Sequence, residues 1–103
     1  MGLPAGVCPE AWILDHPEAI IDVQTRYVQA GTKILYAPTF GVNRHKLSNF
    51  NLQDKVGEMT KRLVALSRQA ANKAAFVFGD LAPTGLMVEP MPDGAPFETV
   101  VDI

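Results

Sequence analysis

The residues able to do chemistry gather at two places, each directly after a short apolar run. Thr39-Phe40-Gly41 follows the first run, and Gly79-Asp80-Leu81-Ala82-Pro83-Thr84-Gly85 follows the second. At the first, a hydroxyl and backbone N–H groups offer a hold on a small polar ligand and the Phe40 ring a wall, although an ordinary strand-to-helix turn uses the same residue types. At the second, the Asp80 carboxylate is suited to orienting an amine or a polar partner, with the Thr84 hydroxyl nearby, and is equally suited to capping its own loop. Elsewhere the reactive types are scattered. His16, His45 and Cys8 have no spacing that aims two of them at one ion, so no metal site is expected within the chain. His16 reads as part of a helix start, and His45, between Arg44 and Lys46, as a solvated turn residue. Cys8 beside Pro9 reads as a small apolar residue whose thiol reactivity depends on its surroundings. Trp12 reads as a packing anchor. No Gly-x-Gly-x-x-Gly follows a strand, and the Gly79 to Gly85 loop lacks a Gly-Lys-Ser/Thr ending, which disfavours nucleotide binding.

These groups need rigid elements to hold them. Lys33–Ala37, closed by Pro38, and Ala74–Phe78 are short apolar runs of the kind that form strands buried on both faces of a parallel sheet. A helix is expected from Asp15-His16-Pro17-Glu18, with Asp15 capping, Glu18 completing a capping box and Pro17 in the first turn, and Gly31 marks its end. Ile20, Ile21, Val23, Tyr27 and Val28 cluster on one face of it, while Asp22, Gln24, Arg26 and Gln29 fall mostly on the other. Asn43 caps a short helical turn in which Leu47 and Phe50 pack. In the longest helix Leu52, Val56, Met59, Leu63, Leu66 and Ala70 share one face, with Gln53, Asp54, Glu58, Lys61, Arg62 and Arg68 solvated. Residues 1–14, with Gly2, Pro4, Gly6 and Pro9, read as an irregular rim segment, and a helical pattern returns over Phe97–Val101. The resulting order, αβαβα, is that of an α/β protein built from βαβ units and suggests one stretch of a parallel barrel. Its functional groups belong at the carboxyl ends of the strands, where Thr39 and Asp80 lie.

Composition narrows the classes further. The chain has 103 residues, 48% of them hydrophobic, and 9 Lys+Arg against 11 Asp+Glu give a net charge of -2 with neither sign in a long run. One domain at most is expected, and nucleic acid is an unfavoured partner. No apolar run reaches the ~20 residues of a membrane span and no signal-peptide pattern opens the sequence, so a cytoplasmic protein is the expectation. One cysteine excludes an internal disulfide. Two parallel strands leave two open edges, and parallel sheets are normally covered on both faces. Further strands are therefore expected from missing sequence or from another chain.

Four stretches in matching order resemble the homocysteine S-methyltransferase family, in particular the amino-terminal barrel of its cobalamin-dependent methionine-forming members. They are Pro9-Glu10-Ala11-Trp12 with His16-Pro17-Glu18-Ala19, then Gln29-Ala30-Gly31-Thr32, then Pro38-Thr39-Phe40-Gly41 with Lys46-Leu47, and finally the Gly79 to Gly85 loop. The resemblance implies a partial (βα)8 TIM barrel over residues 1–103, with Lys33–Ala37 and Ala74–Phe78 as about the second and third strands. It implies methyl transfer to the thiol of homocysteine, with a zinc ion that lowers the thiol pKa and cobalamin as a methyl donor. In the family three cysteines late in the barrel hold that zinc, and they have no counterparts here, so the chain alone is expected to be inactive. The alternative is a noncatalytic half-barrel that assembles with another chain. Thr39, Phe40, Gly41, Asp80 and Thr84, with Pro83 and Gly85, match the family's rim motifs and would line the substrate mouth. Pro38 stands where an asparagine is usual, and Ala82 replaces a glycine.

Overall fold

The computed structural model describes residues 2–103. The segment expected to be irregular becomes helical at Pro9: α1 spans Pro9–Asp15, with proline in its first turn and Glu10 beside it. Proline there loses no helical hydrogen bond, and an acidic residue suits the positive end of the helix. The same residue type that punctuates loops thus starts a helix. His16 interrupts it, its Nδ1 donating to the Trp12 carbonyl at 3.0 Å and its ring stacked 4.3 Å from the Trp12 ring. α2 then runs over Pro17–Gln29, with His16 at its N-cap and no side-chain capping bond. The expected Asp15–Glu18 capping box does not form, because Asp15 is already the last residue of α1. Gly31, at a φ of 107°, carries the chain away from α2 in a backbone conformation that other residues rarely adopt.

Two short strands, β1 (Ile34–Tyr36) and β2 (Phe76–Phe78), pair in parallel with Ile34 opposite Phe76 and Tyr36 opposite Phe78. The ladder runs one residue further at each end, since Phe76 N–H donates to the Lys33 carbonyl and Ala37 N–H to the Phe78 carbonyl, both at 2.8 Å. Between the strands lie α3 (Arg44–Ser48), a 3-10 turn (Gln53–Lys55) and α4 (Val56–Ala71). Asn43 caps α3 as expected, its Oδ1 accepting from Lys46 N–H at 2.8 Å, and Leu47 is buried, whereas Phe50 is left exposed. α5 (Phe97–Asp102) buries no residue and is tied to α3 by an Arg44–Asp102 ion pair at 2.7 Å. The order α1-α2-β1-α3-α4-β2-α5 has one more helix at the front than the expected αβαβα.

α4 organises the core. Met59, Leu63 and Ala70 are buried and Val56 and Leu66 half-buried, while Glu58, Lys61, Arg62 and Arg68 are exposed; Leu52, Gln53 and Asp54, expected in the same helix, lie before it at the 3-10 turn, the first half-buried and the other two exposed. Leu63 joins Ile13 and Ile20; Met59 joins Cys8 and Leu47; Ala70 and Ala71 lie under Leu35 with Val28 and Val77 around them. The apolar face assigned to α2 needs correction: Tyr27 is 61% exposed, and Gln24, placed on the polar side, is buried. Gln24 turns inward because its Nε2 donates to the Tyr36 carbonyl at 3.0 Å, tying α2 to β1.

The sheet is covered on one face only. Leu35 is 5% exposed beneath the helices, but Tyr36 is 62% and Phe76 73% exposed, with Ile34 and Phe78 open beside them. Burial on both faces, expected from the apolar runs, is therefore not met within this chain. The molecule has a radius of gyration of 15.4 Å, against about 13 Å for a compact domain of this length. Its 6959 Å² of surface likewise exceeds the roughly 5,700 Å² of a folded monomer of this mass. Among the described residues no helix is long and apolar enough to cross a membrane.

Candidate functional site

Parallel pairing brings the carboxyl ends of β1 and β2 to one rim. Beyond Ala37 the chain makes a three-residue turn around Pro38, in which Thr39 N–H donates to the Ala37 carbonyl at 2.7 Å. The fixed φ of proline suits the centre of such a turn. The turn directs the buried Thr39 side chain towards β2, where its Oγ1 donates to the Asp80 carbonyl at 2.8 Å and accepts from Asp80 N–H at 3.1 Å. A hydroxyl thus carries the ladder past the point where the strand backbones part. Two of its hydrogen-bonding positions are used in doing so, and one acceptor position remains.

With its backbone held at both N–H and C=O, Asp80 presents a half-buried carboxylate at the rim, and no cation pairs with it among the described residues. Phe40 is 56% exposed, with the Lys46 ammonium 4.7 Å from the centre of its ring, a cation–π distance. Gly41 N–H donates to Glu10 Oε1 at 2.8 Å. A Cβ at position 41 would lie 2.4 Å from that oxygen, so any other residue there would have to displace the Glu10 carboxylate. Cys8, Glu10, Phe40, Gly41, Lys46 and Phe50 border a cleft of about 290 Å³ beside this turn.

Thr39, Phe40, Gly41 and Asp80 therefore meet at one rim. Thr84 is turned elsewhere: its Oγ1 accepts from Leu86 N–H at 3.2 Å, within its own loop. Gly85, at a φ of 92°, lies against His45, whose ring sits 3.7 Å from the place a Cβ would take. His45 is accordingly half-buried and not the solvated residue expected. Trp12 packs as an anchor against the Ile13, Ile20 and Leu63 cluster.

Glu10 is the residue that sequence reasoning missed. It is 8% exposed, and besides Gly41 it accepts the Cys8 thiol proton, at 3.6 Å between Oε2 and Sγ. An acid in the first turn of a helix is ordinarily solvated, and nothing local marks a partner 31 residues on. The one available signal was a glycine directly after an exposed aromatic in a turn, which suggests a close approach by something else. Cys8 is buried with Leu47 and Met59, and burial pushes its thiol pKa up. The nearby Glu10 charge adds to this, and backbone hydrogen bonds from Ala11 and Glu10 offset part of it. A reactive thiolate at Cys8 is thus disfavoured. No three His, Cys, Asp or Glu side chains converge among the described residues, so the donor set does not fit a zinc cage.

The chain matches the profile of the family described as Homocysteine S-methyltransferase over residues 3–103. It is also similar to a methionine synthase of Mycobacterium leprae (strain TN), 24% identical over 82 residues. That alignment takes in 74% of this chain but 7% of the relative, so the chain spans a small part of that protein's length. With the family match running over almost every residue described, the chain belongs to the homocysteine S-methyltransferase family.

Proposed function

We propose that this chain supplies the region around the second and third strands of a (βα)8 methyltransferase barrel, and that its rim lines the mouth receiving homocysteine for methylation to methionine. The observation that supports this reading is the Thr39 hydroxyl joining both strand ends, which brings the exposed Phe40, with Lys46 over its ring, and Asp80 to one rim. In this reading the Asp80 carboxylate receives the substrate ammonium, the Phe40 ring covers its methylene groups, and Gly41, whose N–H is held by Glu10, fixes the turn that carries the ring. Thr84, with its hydroxyl engaged in its own loop, shapes the edge of the mouth.

Thiol activation belongs outside this chain. Zinc lowers a thiol pKa so that the nucleophile exists at neutral pH. The family's zinc cysteines have no counterpart here, and the single cysteine is buried with its pKa raised. No step is assigned to the metal in this chain, and a corrinoid donor would be met by other parts of a longer protein. The chain alone is expected to bind without turnover.

The uncovered Ile34, Tyr36, Phe76 and Phe78 face favours a second reading, a noncatalytic half-barrel completed by another chain. Titration calorimetry separates ligand from scaffold. L-homocysteine is expected to give saturable heat that 4-mercaptobutyrate, lacking the ammonium, does not reproduce. Equal heats from both, or none from either, would count against a rim that receives the substrate ammonium and leave the scaffold reading.

A further inference from the structure

We propose that Glu10 is a positioning residue, whose buried carboxylate on α1 fixes the Thr39-Phe40-Gly41 turn at the rim. The Phe40 ring stands exposed between two anchored neighbours. On one side Thr39 is held by the backbone of Asp80; on the other the Gly41 N–H is held by Glu10 Oε1 at 2.8 Å. Removing the second anchor frees one end of the turn while the first keeps the sheet intact. The carboxylate and the missing side chain are reciprocal, because a Cβ on Gly41 would sit 2.4 Å from Oε1.

Fold stability alone gives little reason for an acid here. Glu10 and Cys8 both border the rim cleft, and Cys8 belongs to an apolar cluster with Leu47 and Met59. An apolar side chain would pack there without the desolvation that a buried carboxylate suffers, and the Gly41 N–H could turn to water in the cleft. The acid is instead used on the backbone of the turn, with the Cys8 thiol occupying its second oxygen. A charge-assisted bond to an N–H is stronger and shorter than a neutral one, which suits a group that must hold an exposed turn still. The proposal deepens the reading of the rim as a substrate mouth and rests on it for what the turn is held ready to meet.

The test is 1H–15N NMR of the whole chain, comparing wild type with Glu10→Gln and Glu10→Ala and following the amides of Thr39, Phe40, Gly41 and Val42. In wild type the Gly41 amide is expected downfield and protected from exchange. Glu10→Ala is expected to speed its exchange about tenfold or more and to shift all four amides, with those of Leu63 and Ala70 unmoved. Glu10→Gln keeps an acceptor oxygen, so it is expected to move the Gly41 resonance while restoring most of the protection. A Gly41→Ala variant, whose Cβ would displace the carboxylate, should loosen the turn as Glu10→Ala does, and combining the two should loosen it no further than either alone. Should Glu10→Ala fail to fold, Glu10→Gln decides, because a Gly41 amide unchanged in that variant overturns the proposal. Turn amides indifferent to both substitutions overturn it as well. A separate titration with L-homocysteine distinguishes the two readings: a turn that depends on Glu10 but ignores homocysteine would sustain this proposal and sink the substrate mouth.

Discussion

Thr39 concentrates the account at the level of single residues. Its hydroxyl both donates to and accepts from the Asp80 backbone, so Thr39→Val removes the acceptor of an Asp80 N–H that has no other partner among the described residues. The expected loss is about 1–3 kcal/mol in urea denaturation, with most of it restored by Thr39→Ser. Cys8 makes a second prediction. Because burial raises its pKa, folded and unfolded chains both keep the thiol proton at neutral pH, and the unfolded chain releases it first as pH rises. The raised pKa therefore favours the fold fully below about 8.5, and that contribution is lost as pH climbs above it. Urea midpoints measured from pH 7 to pH 10 should fall faster for wild type than for Cys8→Ala, and native-state alkylation of Cys8 should be slow. Both rim turns were legible as candidate chemistry, since a polar motif after an apolar run is a local pattern. That Thr39 would spend its hydroxyl on Asp80 was not legible, because the partner lies 41 residues away and depends on strand register.

Among the elements, α4 was the easiest to foresee. Its alternating spacing of Met59, Leu63, Leu66 and Ala70 is a helix signal that no other structure satisfies, and the buried and exposed sets follow it closely. Leu63 is fully buried, and Leu63→Ala should cost about 2–5 kcal/mol by thermal or urea unfolding. Ser67, equally buried on the same helix, has no partner for its hydroxyl among the described residues, so Ser67→Ala should be neutral or stabilising in the same assay. The boundary between α1 and α2 was harder. Asp15-His16-Pro17-Glu18 fits a capping box in isolation, but a helix already running from Pro9 takes Asp15 into its last turn and leaves the cap to His16. Gln24 was misplaced for a related reason: a side-chain amide reads as polar until a strand carbonyl, that of Tyr36, comes within reach. Local patterns show what an element offers, and neighbouring elements decide which offer is used.

Across the whole molecule, the apolar character of both strands was legible but their covering was not. Ile34, Tyr36, Phe76 and Phe78 belong to runs that are apolar throughout, and the chain buries only the side bearing Leu35 and Val77. An aromatic sheet face of this kind promotes association. Sedimentation velocity should show concentration-dependent self-association of the isolated chain, reduced by Phe76→Ser with Phe78→Ser, whereas a monomer at all concentrations would mean the face is covered in some other way. The one-sided sheet, the open strand edges and the excess surface all suit a slice of a closed barrel whose rim, and not whose core, carries the chemistry assigned to it. The most direct test of that assignment is a chemical-shift titration of the chain with L-homocysteine. The account predicts that the resonances moving with ligand are those of Thr39, Phe40, Gly41 and Asp80, with smaller changes at Thr84 and none along the exposed face of α4. Shifts confined to the aromatic sheet face, or spread evenly over the chain, would contradict it.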